Sequence, residues 1–387
     1  MKNIFDYIIT ATFLTFIILP IFFTTNERQS STEKRTLTEF PKINRKIDDL
    51  KVFPVMFEQF YNDHFGFRDP LVYCYSILSY YFGVSPNSSV IAGNDDWFFL
   101  SRLGENNVIE NYRNSKLLSD AELERWKQNL ETKYFWLKKK GIKYFFVIAP
   151  DKHTIYGEYM PSRFIKVRAI SRQDQLLEHL KSSEVPVVDL RPALQEKKRL
   201  AQLYFKTDTH WNAIGASIAQ FTIAQHLHFY FPDIKPINYA FEDFIWKKRK
   251  GGDLAEMMNL KNALTEINPV LREKIPISKS WDIDPKPYGI KNKLMPLFAT
   301  TCKEAPKRRA LVFRDSFFIS LQPYMSRYFS YSTYSWSIID FNTLEKFIQD
   351  FPCDIVIEEY VERNLYYLRS LPDKESSFHK AYLEAAR

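Results

Sequence analysis

From about Ser119 onward the chain alternates short, unbroken apolar runs with longer helical patterns, and this rhythm constrains its fold more than any other feature. Tyr144 to Ala149 is continuously apolar and ends at Pro150-Asp151; Val185 to Leu190, Ala310 to Phe313, Tyr331 to Trp336 and Asp354 to Glu358 read as further strands. A strand with no polar side must be covered on both faces, which is the condition of a parallel sheet. The helical patterns fall between these strands. Ser119-Asp120-Ala121-Glu122 has the form of a capping box and opens a helix that runs to about Lys140, where Gly141 stops it. Further helices are expected over Ser171–Lys181, Asn212–Tyr230, from about Phe317, and around Thr343–Phe351. The fold class is therefore α/β, a parallel sheet flanked by helices. In such sheets the chemistry lies beyond the carboxyl ends of the strands.

With 387 residues the chain has room for one large domain and an extension, or for two domains. Only 10 glycines are present, which argues against glycine-rich cofactor loops and flexible linkers, and no cofactor is expected. The three cysteines, Cys74, Cys302 and Cys353, have neither metal-ligand spacing nor the pattern of a disulfide framework. The net charge of +8 is gathered in clusters such as Lys138–Lys140, Lys197–Arg199, Lys247–Lys250 and Lys307–Arg309. These read as solvated faces or as a surface for a polyanionic polymer or acidic lipid; no nucleic-acid module accompanies them.

Tyr7 to Phe23 is nearly all apolar, follows Lys2 and precedes the polar Thr24–Arg28. With no small-x-small cleavage site after it, it reads as an uncleaved, single-pass signal anchor over residues 1–25; a core helix is the alternative. The expected organisation continues with a stalk and N-terminal extension over 26–118, the α/β domain over 119–370 and a polar tail over 371–387. Within the extension, Phe57, Phe60, Tyr61 and Phe65 are spaced for one side of a helix over Phe53–Arg68, and Ile91–Leu100 resembles a hairpin.

The candidate chemistry lies in two segments, Lys206-Thr-Asp-Thr-His-Trp-Asn212 and Phe313-Arg-Asp-Ser-Phe317. Ser316, just past a strand and before a helix, is placed as a nucleophile is in a strand-to-helix turn, but a free hydroxyl needs a base. His210 is that base, and Asp208, on the same side of an extended stretch, fixes its tautomer. The competing reading makes Ser316 and Asp208 helix N-caps. A metal reading of Asp208 and His210 needs further ligands, and His226 and His228 face different sides of their helix. Asp151-Lys152-His153 is a second polar cluster after a strand, either lining the site or an exposed loop, and Gly251-Gly252 offers backbone N–H groups or an ordinary turn.

At these residues the chain resembles the exported alginate O-acetylation proteins of the AlgJ and AlgX type and related SGNH-hydrolase-like polysaccharide acetyltransferases. The resemblance runs through Phe60–Arg68, Asp151–Tyr156, Lys206–Asn212, Gly252–Ala255, Arg314–Phe317 and Glu358–Arg363, in family order. It implies a permuted SGNH-like domain with Ser316, His210 and Asp208 as the catalytic triad. Lys152, His153, Tyr156, Trp211, Asn212, Gly252 and Arg314 are then candidates for substrate binding or the oxyanion pocket, with no metal. It implies acetyl transfer to polysaccharide hydroxyls, a membrane-bound O-acyltransferase as donor partner, and a catalytic domain on the periplasmic side of a bacterial inner membrane. Arg314 and Phe318 depart from the pattern, which has glycine and a small residue there. No carbohydrate-binding module is evident toward the C-terminus, as in the AlgJ arrangement. An acetyl esterase and a non-catalytic polysaccharide-binding scaffold of an envelope complex are the alternatives.

Overall fold

The computed structural model describes residues 2–24, 28, 36–42, 47–103, 106–273, 275, 279–290, 296–367 and 370–385. The chain divides into two compact units: residues 1–92 with 250–265, and residues 93–249 with 266–387.

The larger unit is built on a seven-stranded sheet: β1 (Lys143–Ala149), β2 (Val187–Asp189), β3 (Lys279–Asp282), β4 (Leu297–Thr301), β5 (Arg309–Phe313), β6 (Tyr331–Ser335) and β7 (Ile355–Val361). Their order across the sheet is β2-β1-β7-β5-β6-β4-β3. The first five strands are parallel, with Val312 opposite both Ile357 and Tyr334. The wholly parallel sheet expected from the sequence is thus extended by β4 and β3, which pair antiparallel at one edge. Their runs carry threonine, serine, lysine and aspartate, so they lack the apolar signature of the doubly covered strands.

Alternating side chains of β1 explain its unbroken apolar run. Tyr144, Phe146 and Ile148 join a buried cluster with Leu123, Trp126, Leu130 and Leu137 of the helix Asp120–Lys139, while Phe145 meets Tyr230 of the helix Ala213–Tyr230 on the other face. Helix Asp120–Lys139 starts at the expected capping box, Ser119 accepting from Glu122 N, and Gly141 follows its end at φ 76°, a conformation glycine adopts without cost. The segment read as a polar tail contains a helix, Ser377–Ala385, whose Phe378 packs on Trp136 at 4.4 Å. An ion pair lies within the core: Lys133 Nζ is 3.0 and 2.9 Å from the two carboxylate oxygens of Glu358, to which the Tyr144 hydroxyl also donates.

In the smaller unit, the apolar N-terminal run forms an α-helix over Lys2–Ile18 and a 3₁₀ turn over Leu19–Phe23. Pro20 has no N–H and ends the α-helix at 17 residues, about 25 Å at ~1.5 Å per residue against a bilayer core of about 30 Å. Among the described residues no helix is long and apolar enough to cross a membrane. Much of the expected stalk lies outside the described residues, but Thr38 is tied to the helix Ile47–His64 by two 2.8 Å bonds to Asp63 Oδ2. That helix ends at His64, before Phe67, which has φ 69°, so it stops short of the expected Arg68, and a second helix follows over Arg68–Tyr81.

Candidate active site

The site is built at the carboxyl ends of β1, β5 and β7. Past β5, Arg314 N continues the ladder to Ser335 O at 3.0 Å, and the chain turns at Asp315-Ser316 into the helix Phe318–Met325. Ser316 does not cap that helix: the cap position is Phe317, which makes no side-chain bond. Asp208 does not cap the next helix either, because Asn212 Oδ1 accepts from Ile214 N and Gly215 N. Both capping readings of the sequence are therefore replaced.

Residues 205–210 form a loop closed by an antiparallel bridge between Tyr204 and Trp211, with Phe205 N donating to His210 O and Asn212 N to Leu203 O. Gly215 permits this closure, since a Cβ there would meet Leu203 O at 2.3 Å. The loop brings His210 Nε2 to 2.9 Å from Ser316 Oγ, and His210 Nδ1 to 2.8 Å from Asp208 Oδ1. An ionised carboxylate only accepts, so Nδ1 carries the ring proton and Nε2 is left to accept from the serine hydroxyl. Asp208 also accepts from His210 N at 3.1 Å and, through Oδ2, from Arg249 Nη2 at 2.9 Å. Burial would raise its pKa, but the bonds and charge of His210 and the Arg249 guanidinium win and hold it well below the carboxylate range. The imidazole packs 5.0 Å from the Phe317 ring, and Trp211 Nε1 donates to Phe317 O at 3.0 Å. The residue after the serine thus contacts both residues 210 and 211.

The loop is held from two sides. Lys152 Nζ, on a side chain that is 1 % exposed, donates to the carbonyls of Phe205, Lys206 and Asp208 at 3.2, 3.0 and 2.7 Å. Glu266 accepts from Lys206 N, Thr207 N and Thr207 Oγ1 at 2.8, 3.3 and 2.6 Å.

The other candidates from the sequence are placed as follows. His153 is buried, donates through Nε2 to Leu100 O at 2.8 Å, and is pushed down to about 4 by burial. The Tyr156 hydroxyl accepts from Leu203 N at 2.8 Å, and burial raises it to about 12. Trp211 and Asn212 close the loop as above, and Asn212 Nδ2 donates to Gln202 O at 2.6 Å. Arg314, where the sequence departs from the family pattern, is buried with its guanidinium 4.6 Å from the Trp336 ring and 3.2 Å from Asp315 O. Burial lowers its pKa against the opposing charges of Glu359 and Asp315. Gly252 belongs to the smaller unit, at the start of the helix Asp253–Met257. His226 and His228 accompany backbone carbonyls of Thr222 and Ile234, at 2.9 and 2.8 Å.

Four acidic groups support the turns. Asp315 Oδ1 accepts from Phe317 N at 2.9 Å, and Oδ2 from Val361 N at 2.7 Å and Asn364 Nδ2 at 3.2 Å, while Asp315 N donates to Glu359 Oε2 at 3.0 Å. Burial raises Asp315, and raises Glu359 further with the help of the Asp315 charge. Asp151 pairs with Arg363, and Glu362, accepting from Asp151 N and Thr154 Oγ1, is raised to about 7 by burial and the Asp151 charge. Sequence reasoning assigned no role to Arg249, Glu266 or Glu359: Arg249 is hidden in a run of exposed-looking lysines, and nothing local marks the carboxylates.

A Ser-His-Asp arrangement on the C-terminal edge of this mixed sheet defines the class, an SGNH-like α/β protein. Residues 90–280 match the family described as ALGX, SGNH hydrolase-like domain, acetyltransferase AlgX, a span that includes Asp208 and His210 and stops before Ser316. Among curated proteins, the chain is similar to the probable alginate O-acetylase AlgJ of Pseudomonas syringae pv. tomato, 23 % identical over 42 % of this chain and 39 % of that one. It is also similar to the protein of the same description from Pseudomonas putida, 29 % identical over 23 % of each. The matches thus span well under half of the relatives' length. Among solved structures, Bacillus cereus PatB1 aligns with a TM-score of 0.50 and 16 % identity over 72 % of this chain and 99 % of that one, a likeness of fold. The family model and the AlgJ relatives together make the AlgJ/AlgX type the family that residues 90–280 of this chain are similar to.

Proposed function

We propose that this chain is an O-acetyltransferase that moves acetyl groups onto hydroxyls of an extracytoplasmic polysaccharide through an acetyl-Ser316 intermediate. The observation that carries the reading is the run of hydrogen bonds from Ser316 Oγ through His210 to Asp208, at 2.9 and 2.8 Å, in a chain similar to this family. In the first step the Ser316 proton passes to His210 Nε2 as Oγ attacks the carbonyl carbon of an acetyl ester. The donor C–O bond breaks, and the departing alkoxide takes that proton. In the second step a sugar hydroxyl gives its proton to Nε2 and attacks the acetyl-serine, and Ser316 Oγ leaves with the proton restored. Asp208 stabilises the imidazolium in both steps. The donor is supplied by a membrane-bound O-acyltransferase partner, and the protein works on the outer side of a bacterial inner membrane. Exposed Ile4, Phe5, Phe13 and Phe16 on the N-terminal helix support membrane association.

The test is incubation with a chromogenic acetyl ester, with and without an oligosaccharide acceptor, followed by mass spectrometry of protein and sugar. The wild type should carry acetyl on Ser316 and pass it to sugar, and Ser316→Ala should do neither while remaining folded. Release of acetate with no acetylated sugar identifies an esterase, and undiminished sugar acetylation by Ser316→Ala overturns the triad.

A further inference from the structure

We propose that Arg249 is a positioning residue for the Asp208–His210 pair, held in place by Glu266; this rests on the acyl-transfer reading above. In the sequence Arg249 is one of four consecutive basic residues, Lys247 to Lys250, a run whose ordinary meaning is a solvated strand. On the strand Phe244–Lys250 its neighbours Lys247 and Lys248 are exposed, but Arg249 is only partly so and is turned to the site. Its Nη2 donates to Asp208 Oδ2 at 2.9 Å, and its guanidinium lies 4.1 Å from the ring centre of Phe205, in the same loop as Asp208. Its Nε is 3.9 Å from Glu266 Oε1, and Glu266 in turn binds Lys206 N, Thr207 N and Thr207 Oγ1. A chain of polar contacts therefore runs Glu266, Arg249, Asp208, His210, ending on Ser316.

The geometry gives this chain a purpose. A carboxylate has two oxygens and turns about its Cβ–Cγ bond, and only one orientation serves the imidazole. Arg249 occupies Oδ2, which leaves Oδ1 facing His210 Nδ1 and N. A planar guanidinium both binds the oxygen and stacks on Phe205, two constraints that a lysine ammonium does not combine. Glu266 fixes the arginine and the loop that carries the aspartate together. Arg249 and Glu266 are also where the chain leaves and rejoins the larger unit, on either side of residues 250–265.

The experiment uses the full chain, with Arg249→Met, Arg249→Lys, Glu266→Gln and, for comparison, Ser316→Ala and Asp208→Asn. Acetyl-ester turnover should fall on the order of 100-fold in kcat for Arg249→Met with KM little changed, as expected for a misaligned catalytic group, and Arg249→Lys should recover part of it. A second readout does not depend on turnover: selective ¹⁵N-histidine NMR of the His210 Nδ1–H proton. That signal should persist in Ser316→Ala, vanish in Asp208→Asn, and broaden or vanish in Arg249→Met at unchanged melting temperature. Wild-type kcat with an undisturbed Nδ1–H signal in folded Arg249→Met overturns the inference. An enzyme with no acetyl-ester activity but an Nδ1–H signal that still depends on Arg249 overturns the acyl-transfer reading and leaves the positioning role standing.

Discussion

Replacing Lys152 by methionine tests whether the loop that bears Asp208 and His210 is held from beneath by a buried charge. The ammonium donates to three carbonyls, at 2.7 to 3.2 Å, and lies 5.2 Å from the Phe99 ring centre and 5.6 Å from that of Trp97. Methionine fills similar volume and donates nothing. Lys206 O keeps a bond from Phe98 N at 2.9 Å, so two buried acceptors, Phe205 O and Asp208 O, lose this donor at about 1–3 kcal/mol apiece, an upper sum near 6 kcal/mol. Removing the ammonium also removes the cost of burying it, several kcal/mol, so the net loss is about 3 kcal/mol. At about 2–4 °C per kcal/mol, melting falls by roughly 6–12 °C. The carbonyls relax toward other donors, and a displacement of ~1 Å at His210 costs on the order of 100-fold in kcat. Thermal unfolding and ester turnover are measured on the same preparation. If Lys152 instead bound substrate, melting would be unchanged and KM would rise. A melting temperature within about 2 °C of wild type, with unchanged kcat, refutes the argument.

Other perturbations separate the remaining interactions. Lys133→Met leaves Glu358 charged and unpaired in the core and should cost about 3–5 kcal/mol, whereas Lys133→Met with Glu358→Leu should cost much less, read by a double-mutant cycle of chemical unfolding. His153 has a folded pKa of about 4, below its unfolded value, so its contribution is full above about pH 6.5 and is lost as pH falls toward 4. In His153→Phe the fall in stability across that window should be smaller than in wild type by roughly 3 kcal/mol, measured by unfolding at several pH values. Glu362 runs the other way. Its folded pKa of about 7 is raised above the unfolded value, so its stabilisation is lost as pH rises through 7, and Glu362→Gln should flatten the stability curve there.

The parts of this protein legible in the sequence are those fixed by local chemistry or by burial on two faces. The capping box at Ser119, the stop at Gly141 and the apolar run of β1 each impose their structure through neighbours within a few residues or through a period that leaves no polar side. Strands β3 and β4 escaped because antiparallel strands need only one covered face, so their composition is mixed. The N-terminal run was legible as an apolar helix, but Pro20 set its length.

Within the site, the residue types and their order along the chain offered candidates for nucleophile, base and orienting carboxylate, because that chemistry is intrinsic to the side chains. Whether Ser316 and Asp208 were catalytic candidates or helix caps was a question of distance, and only the fold answered it, bringing His210 to Ser316 across 106 positions. The same holds for Lys152, Arg249 and Glu266. A lysine, an arginine and a glutamate look solvated in any one-dimensional reading, since nothing in their neighbours marks them for burial. They acquire roles when the closed loop of residues 205–210 presents carbonyls, amides and a carboxylate oxygen that water reaches poorly, so that fixed charges from distant segments must satisfy them.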